Sequence, residues 1–438
     1  LKVLPFEFPF HEYLGRSPVG SYLSKYLSEL NAKTVVIEED YVDKNFLIDY
    51  AKFYARSFNA PPRFTKRLHF FSAEFEEREF REALTPNGEL LKNLQKSYLG
   101  FVIVKPIRSR EGEPFIGCTN LKTYPIKASH DTRIFLTCTC EASLYGIPLT
   151  IESLPFQTQD QAVAACATTA LWTSLSPLRG LFSIPLLSPA EITEKAIAYP
   201  GLGERHFPSS GLNIFQIAGF INSIGLDTEK IKISDGENPK DIVSNVVRAY
   251  VKAGIPVIAG IKLKRTNSEY DHHAVVISGY RCNSLGEVAE LYVHDDQIGP
   301  YSRVTCADNS FVDWENEWTS RDGYKQVRVD FLLVPIYPKI RLAFGHIHSI
   351  HKEYQKYVLQ FKDSGLVTEF FLTLLNSYKR FLLHHACANK VEVLSKPLPR
   401  FLWVVRTLLN GQPVLDSLYD GTEVVPKKLL DISFEIKA

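Results

Sequence analysis

Apolar and polar positions change rhythm along the chain. In the first stretch, short apolar runs dominate: TVVIEE from Thr34, RLHFFSAEF, FVIVKPI and RIFLTCTC. Their β-branched and aromatic content predicts strands. Two helical patterns lie among them. DKNFLIDYAKFYARSF crowds Phe46, Ile48, Tyr50, Phe53 and Tyr54 on one side, and FEEREFREAL is short and charged. The middle stretch opens with helices. QAVAACATTALWTSL has small residues early and Leu171, Trp172 and Leu175 later. GLNIFQIAGFINSIGL repeats Ile214, Ile217, Ala218 and Ile221 at helical spacing and ends near Gly225. A third helix carries Val243, Val246, Val247 and Tyr250 and stops at Gly254. Three strand signals follow, IPVIAGIKL, HAVVISGYR and ELYVHD, the last two separated by the turn NSLG. The final stretch predicts long helices around HSIHKEYQKYVLQF and TEFFLTLLNSYKRFLLHHAC, then strands at FLWVVRTLL and PVLDSLY.

Helices followed by antiparallel strands make an α+β pattern. The changes of rhythm divide the 438 residues into a mixed α+β region at 1–150, a central region at 151–335 and an α+β region at 336–438. That division agrees with about 150 residues per domain. Hydrophobic residues make up 45% of the chain, which excludes disorder as its main state. Lys plus Arg total 50 against 49 Asp plus Glu, a net charge of +1, so a broad nucleic-acid footprint is not expected. No stretch reaches the roughly 18 apolar residues of a membrane helix. LKVLPFEFPFHEYLG also lacks a basic-then-apolar leader pattern, leaving the cytoplasm as the default location.

Seven cysteines, an odd and sparse set, do not form a disulfide framework. Cys138 and Cys140 form a C-x-C without a second pair at zinc spacing, and read as two free thiols on one strand face. His346, His348 and His351 read as a polar helical turn rather than a metal site. Phosphate-loop and dinucleotide motifs are absent, so neither cofactor nor metal is expected.

One constellation carries chemistry. Cys166 lies early in a helix between Ala165 and Ala167. A helix N-terminus and a nearby imidazolium favour the thiolate, which is the nucleophile, and small neighbours leave room for a substrate. Upstream, Gln157, Gln159 and Gln161 offer side-chain amides that can join the Cys166 N–H in an oxyanion hole. Downstream, His273 opens an apolar strand, with His272 as its competitor. Asp295, with Asp296 beside it, ends the next strand and can hold the imidazole in one tautomer. The order Gln, Cys, His, Asp follows the logic of nucleophilic catalysis by a Cys–His–carboxylate set.

With FQTQDQAVAACATTALW, GLNIFQIAGFINSIGL, GIPVIAGI, HHAVVISGYR and LYVHDDQIGP in hand, residues 150–305 resemble the papain-like cysteine peptidases. The likeness is to their bacterial branch, the bacteriocin-processing (double-glycine leader) peptidases and their stand-alone relatives. The resemblance implies a papain-like central domain, with Cys166 as nucleophile, His273 as general base, Asp295 as orienting carboxylate and Gln159 as oxyanion donor. Asp296, Gln161 and His272 are the alternates. It implies a peptide or amide substrate, a thiol hydrolase working through an acyl-enzyme, and no cofactor. The same triad also serves acyltransferases and transpeptidases, and a papain-like module can bind without catalysis. The flanks are where a protein partner would engage.

The chain departs from the family pattern in having Ala167 after the nucleophile where Gly is usual, Asp296 where Pro commonly follows the Asp, and Asp160 six positions before Cys166, where the Gln is expected. Methionine is absent, where ordinary usage gives about ten. A residue missing between Gln159 and Cys166 would widen that gap and favour Gln161.

Overall fold

The computed structural model describes the chain outside residues 86–90, 126–131, 161, 199–206, 209–210, 234–240, 268, 284–285, 309, 322, 359, 361–364 and 436–438. It is a mixed α+β structure of antiparallel sheets. In the first third, β1 (Lys2–Pro5), β2 (Thr34–Tyr41), β3 (Thr65–Phe71), β4 (Tyr98–Arg108) and β5 (Pro114–Leu121) pair in chain order. Helices α1 (His11–Leu14), α2 (Pro18–Glu29), α3 (Lys44–Lys52), α4 (Glu77–Ala83) and α5 (Leu91–Ser97) lie in the connections. Then come β6 (Thr132–Phe135) and a separate hairpin of β7 (Cys138–Leu144) and β8 (Ile147–Ser153).

The middle third contains helices α6 (Cys166–Phe182), α7 (Pro189–Ile197), α8 (Ile214–Ser223) and α9 (Ile242–Val251). Its strands are β9 (Asp227–Lys232), β10 (Val257–Arg265), β11 (Tyr270–Cys282), β12 (Val288–Asp295), β13 (Gly299–Val304), β14 (Asp313–Trp314) and β15 (Tyr324–Ile336). They form a sheet in the order β13-β12-β11-β10-β15-β14, with β9 added beside β15 and β6 beside β11. The last third holds α10 (Phe344–Val358), β16 (Leu366–Leu374), α11 (Leu375–Leu383), α12 (Lys390–Ser395), β17 (Phe401–Leu409), β18 (Gln412–Asp420) and β19 (Lys428–Ser433), its four strands pairing in chain order.

Helix α6 lays Leu171, Trp172, Leu175 and Leu178 into the same core as Val275 and Ile277 of β11. Truncating one such leucine to alanine costs about 2–5 kcal/mol through lost burial and the cavity left behind. The core is continuous, running from Leu23 and Val35 in the first third to Phe370 and Trp403 in the last.

Three elements differ from the sequence expectation. RIFLTCTC is two strands. Pairing of β10 to β11 ends at Ile277, and β6 takes the free side of β11 at Gly279–Cys282. The approach is close enough to need glycine, because a Cβ on Gly279 would stand 2.6 Å from the Ile134 carbonyl oxygen. TEFFLTLLNSYKRF, expected as one helix, divides into β16 and α11. Phe370 and Leu372 enter the main core while Phe371 faces a second one with Leu402, so both strand faces are apolar and the alternation is hidden. Finally, the helix expected from Gln161 starts only at Cys166, which fixes the site described next.

Candidate active site

Residues 162–165 are kept out of helix by Asp160. Its Oδ1 accepts the backbone N–H groups of Ala162, Val163 and Ala164 at 3.1, 2.8 and 2.9 Å. Its own N–H donates to the Ala164 carbonyl. Oδ2 accepts the Tyr54 hydroxyl at 2.9 Å and faces the Lys105 ammonium at 3.6 Å. Burial pushes this carboxyl up, but Lys105, the amides and Tyr54 outweigh it and hold Asp160 below the ordinary carboxylate value. Tyr54 and Lys105 both come from the first third of the chain, so that region secures the turn that leads into Cys166. Thr193 of α7 closes the turn from the other side, donating to the Val163 carbonyl at 2.9 Å.

Cys166 is thereby the first residue of α6. Its N-cap, Ala165, is extended and supplies no side-chain cap. The amides of the first turn are left for other acceptors, as at helix N-termini generally.

His273 is buried on β11, whereas His272 is exposed. The imidazole Nε2 lies 2.9 Å from Asp295 Oδ1 at the end of β12. Cys166 lines the same cleft as His273, and its side chain is among the groups that raise the imidazole. Burial pulls His273 down, yet the charge and hydrogen bond of Asp295, the Cys166 contact and the charge of Asp296 raise it well above the ordinary histidine value. Asp295 is in turn fixed by the Trp318 indole N–H, 2.7 Å from Oδ2, and by the Gln297 N–H on Oδ1 at 2.9 Å. The Trp318 ring stands edge-on to the imidazole, with centroids 5.7 Å apart.

Asp296 sits differently. Its Oδ1 is 3.4 Å from His273 Nε2, and neither oxygen makes a hydrogen bond of good geometry among the described residues. Burial pushes it up to about 7, opposed by the charge of His273 and reinforced by that of Asp295. His273, Asp295 and Asp296 each bring one ligand atom to within 4.8 Å of the others, a spacing a metal ion could use. In this arrangement Nε2 and both Asp295 oxygens are already spent on hydrogen bonds. The preceding His294 is structural. Burial pushes it down to about 3, so it is neutral; its Nδ1 accepts the Tyr301 N–H and its Nε2–H donates to the Leu154 carbonyl.

Cys166, His272 and His273 open onto a cleft of about 580 Å³ lined also by Asn213, Gln216 and Phe331. Gly260 forms part of its wall; a Cβ there would meet the Phe331 ring at 2.3 Å. Asn213 and Gln216 cap the start of α8 reciprocally, which fixes both polar side chains at the rim. The structure therefore brings Cys166, His273, Asp295 and Asp296 together. Gln159 does not line the cleft; it is half-buried, with its backbone N–H beside Asp296. Gln161 lies outside the described residues. Gln157 is buried, and its side-chain nitrogen has no partner among the described residues. Sequence reasoning missed Trp318 and the anchoring role of Asp160, since only the fold brings Trp318 to Asp295 and Tyr54 to Asp160.

Neither a model of any known family nor any curated protein matches the chain.

Proposed function

We propose that the chain is a papain-like thiol hydrolase, a peptidase or amidase, with Cys166 as nucleophile, His273 as general base and acid, and Asp295 as the orienting carboxylate. The observation that carries this reading is the buried imidazole of His273, held by Asp295 at 2.9 Å and lining the same cleft as Cys166. A histidine held well above its ordinary value by two carboxylates takes the thiol proton readily. Transfer of that proton gives a thiolate–imidazolium pair at the start of α6. The thiolate adds to a substrate carbonyl, and first-turn N–H groups, including that of Cys166, stabilise the oxyanion. Collapse expels the amine, which takes its proton from His273. Water, activated by the same imidazole, then attacks the acyl-enzyme and releases the acid. Gln159 is not assigned to the oxyanion hole in this reading, because neither it nor Gln157 lines the cleft.

Iodoacetamide labelling between about pH 5 and pH 8 tests the reading, since alkylation follows the thiolate. Cys166 is expected to label far faster than Cys118 or Cys282, whose thiols burial pushes up. Equal rates would overturn it. A model amide supplied with a free amine then separates hydrolysis, giving the acid, from acyl transfer, giving a new amide.

A further inference from the structure

A second pair of thiols lies away from the cleft. Cys138 and Cys140 are the first and third residues of β7, so their side chains share one face. Their sulfurs are 3.8 Å apart, in hydrogen-bonding contact. Both are half-buried. Cys138 Sγ also reaches the Ser153 carbonyl at 3.4 Å, and Cys140 Sγ reaches Asn120 Oδ1 at 3.2 Å. The Asn120 amide nitrogen in turn lies 3.5 Å from Cys118 Sγ. Either sulfur can donate to the other, and the Cys140 contact draws the Cys138 thiol below its ordinary value.

We propose that Cys138 and Cys140 are a redox-active dithiol that a hydroperoxide oxidises to an intrastrand disulfide and a low-molecular-weight thiol reduces again. The Cys138 thiolate attacks the peroxide; an S–O bond forms, the O–O bond breaks, and the departing alkoxide or hydroxide takes a proton. Cys140 then attacks the Cys138 sulfur. The S–S bond forms, the S–O bond breaks, and the leaving hydroxide takes the Cys140 proton as water. Two thiols and one hydroperoxide thus give one disulfide, one alcohol or water, and one water. Two equivalents of reducing thiol reverse the bond by exchange.

Strand geometry makes this bond labile rather than structural. Residues two apart on a strand are separated by about 6.6–6.8 Å, the far end of the roughly 4.4–6.8 Å that a disulfide spans. A bond closed there is strained, and strained disulfides are the readily reduced ones. The host is a two-stranded hairpin, β7 with β8, rather than the interior of a large sheet. A two-stranded ribbon tolerates more twist. This inference does not rest on the hydrolase reading.

The test uses the full chain, treated with hydrogen peroxide, blocked with an alkylating agent, digested and weighed. The expected product is the peptide containing both Cys138 and Cys140, unalkylated and lighter by two hydrogens, and returned to two alkylatable thiols by reduced glutathione. In Cys140→Ser the loss of two hydrogens should vanish and Cys138 should instead gain oxygen. Free thiols at both positions after peroxide, independent oxygen addition to each in the unaltered chain, or a cross-link to Cys118 would each overturn the proposal.

Discussion

The indole N–H of Trp318 donates to Asp295 Oδ2 across 2.7 Å, while the other oxygen of the same carboxylate holds His273 at 2.9 Å. One buried carboxylate is thus clamped from both sides, and the imidazole orientation follows from a residue on neither β11 nor β12. Trp318→Phe keeps the ring edge but removes the donor. A hydrogen bond to a charged group contributes about 1.5–3 kcal/mol, so the expected loss is about 10- to 100-fold in kcat/KM. NMR titration of His273 in the variant should show an altered midpoint. Unchanged kinetics would mean that the indole only fills space.

Asp295 and Asp296 should separate by mutation. Asp295→Asn removes the charge and acceptor that keep His273 in one orientation, and should cost about 10- to 100-fold in thiolate alkylation rate at neutral pH. Asp296→Asn removes a carboxyl that makes no good hydrogen bond, and should leave most of that rate. The reverse ranking would transfer the orienting role to Asp296.

Asp296 also sets a pH dependence of stability. Its folded value is about 7 against an ordinary 3.8, so between these the folded state binds more protons than the unfolded one. Stability from this group is complete below the lower value and is lost as pH rises through the upper. Asp49, buried and pushed up to about 7, and His273, raised well above 6.5, act in the same direction. Asp160 and Glu369, held low, act in the opposite one. The informative quantity is therefore a difference: between about pH 4 and pH 7, Tm of Asp296→Asn should gain on that of the unaltered chain as pH rises. Parallel curves would show that the carboxyl is not buried in solution as it is here.

Removing Asp160 should be costly. Asp160→Ala leaves the amides of Ala162, Val163 and Ala164 without their shared acceptor, at about 1–3 kcal/mol for each buried group that finds no substitute. Tyr54→Phe deletes one hydrogen bond and should cost about 1 kcal/mol. If Asp160 positions the nucleophile, Tyr54→Phe should also slow Cys166 alkylation at constant pH, an effect that a purely structural role would not produce.

In the last third, Arg406 and Asp416 form a buried two-point pair at 2.7 and 2.7 Å, and the Tyr378 hydroxyl adds a third bond to Asp416 at 2.8 Å. Arg406→Met strands a buried carboxylate and should destabilise by about 3–5 kcal/mol in urea unfolding. Changing both partners to apolar residues should recover much of that loss.

How much of this the sequence showed depends on the range of the interaction. Cys166 early in a helix, His273 on one strand and Asp295 at the end of the next were legible because each depends on local pattern, although the helix begins later than expected, at Cys166, and the strand earlier, at Tyr270. The choice of His273 over His272 came from the resemblance and not from the strand pattern, because adjacent residues on a strand face opposite sides and only the packing shows which side is closed. Asp160 was legible as a departure from the expected glutamine, but not as an anchor, since its partners Tyr54 and Lys105 lie far upstream. The strand at Leu366–Leu374 was hidden because burial on both faces erases the alternation that marks a strand.

The bond from Tyr54 to Asp160 joins positions 106 residues apart. With β6 lending a strand to the central sheet, it means that the chain has no clean seam near residue 150. A fragment cut there would carry Cys166, His273 and Asp295 but not the brace that shapes the turn before Cys166, so the site is not portable. Over evolutionary time the two positions should drift as a couple: a lineage that gives up the hydroxyl at 54 is expected to replace the acid at 160 as well.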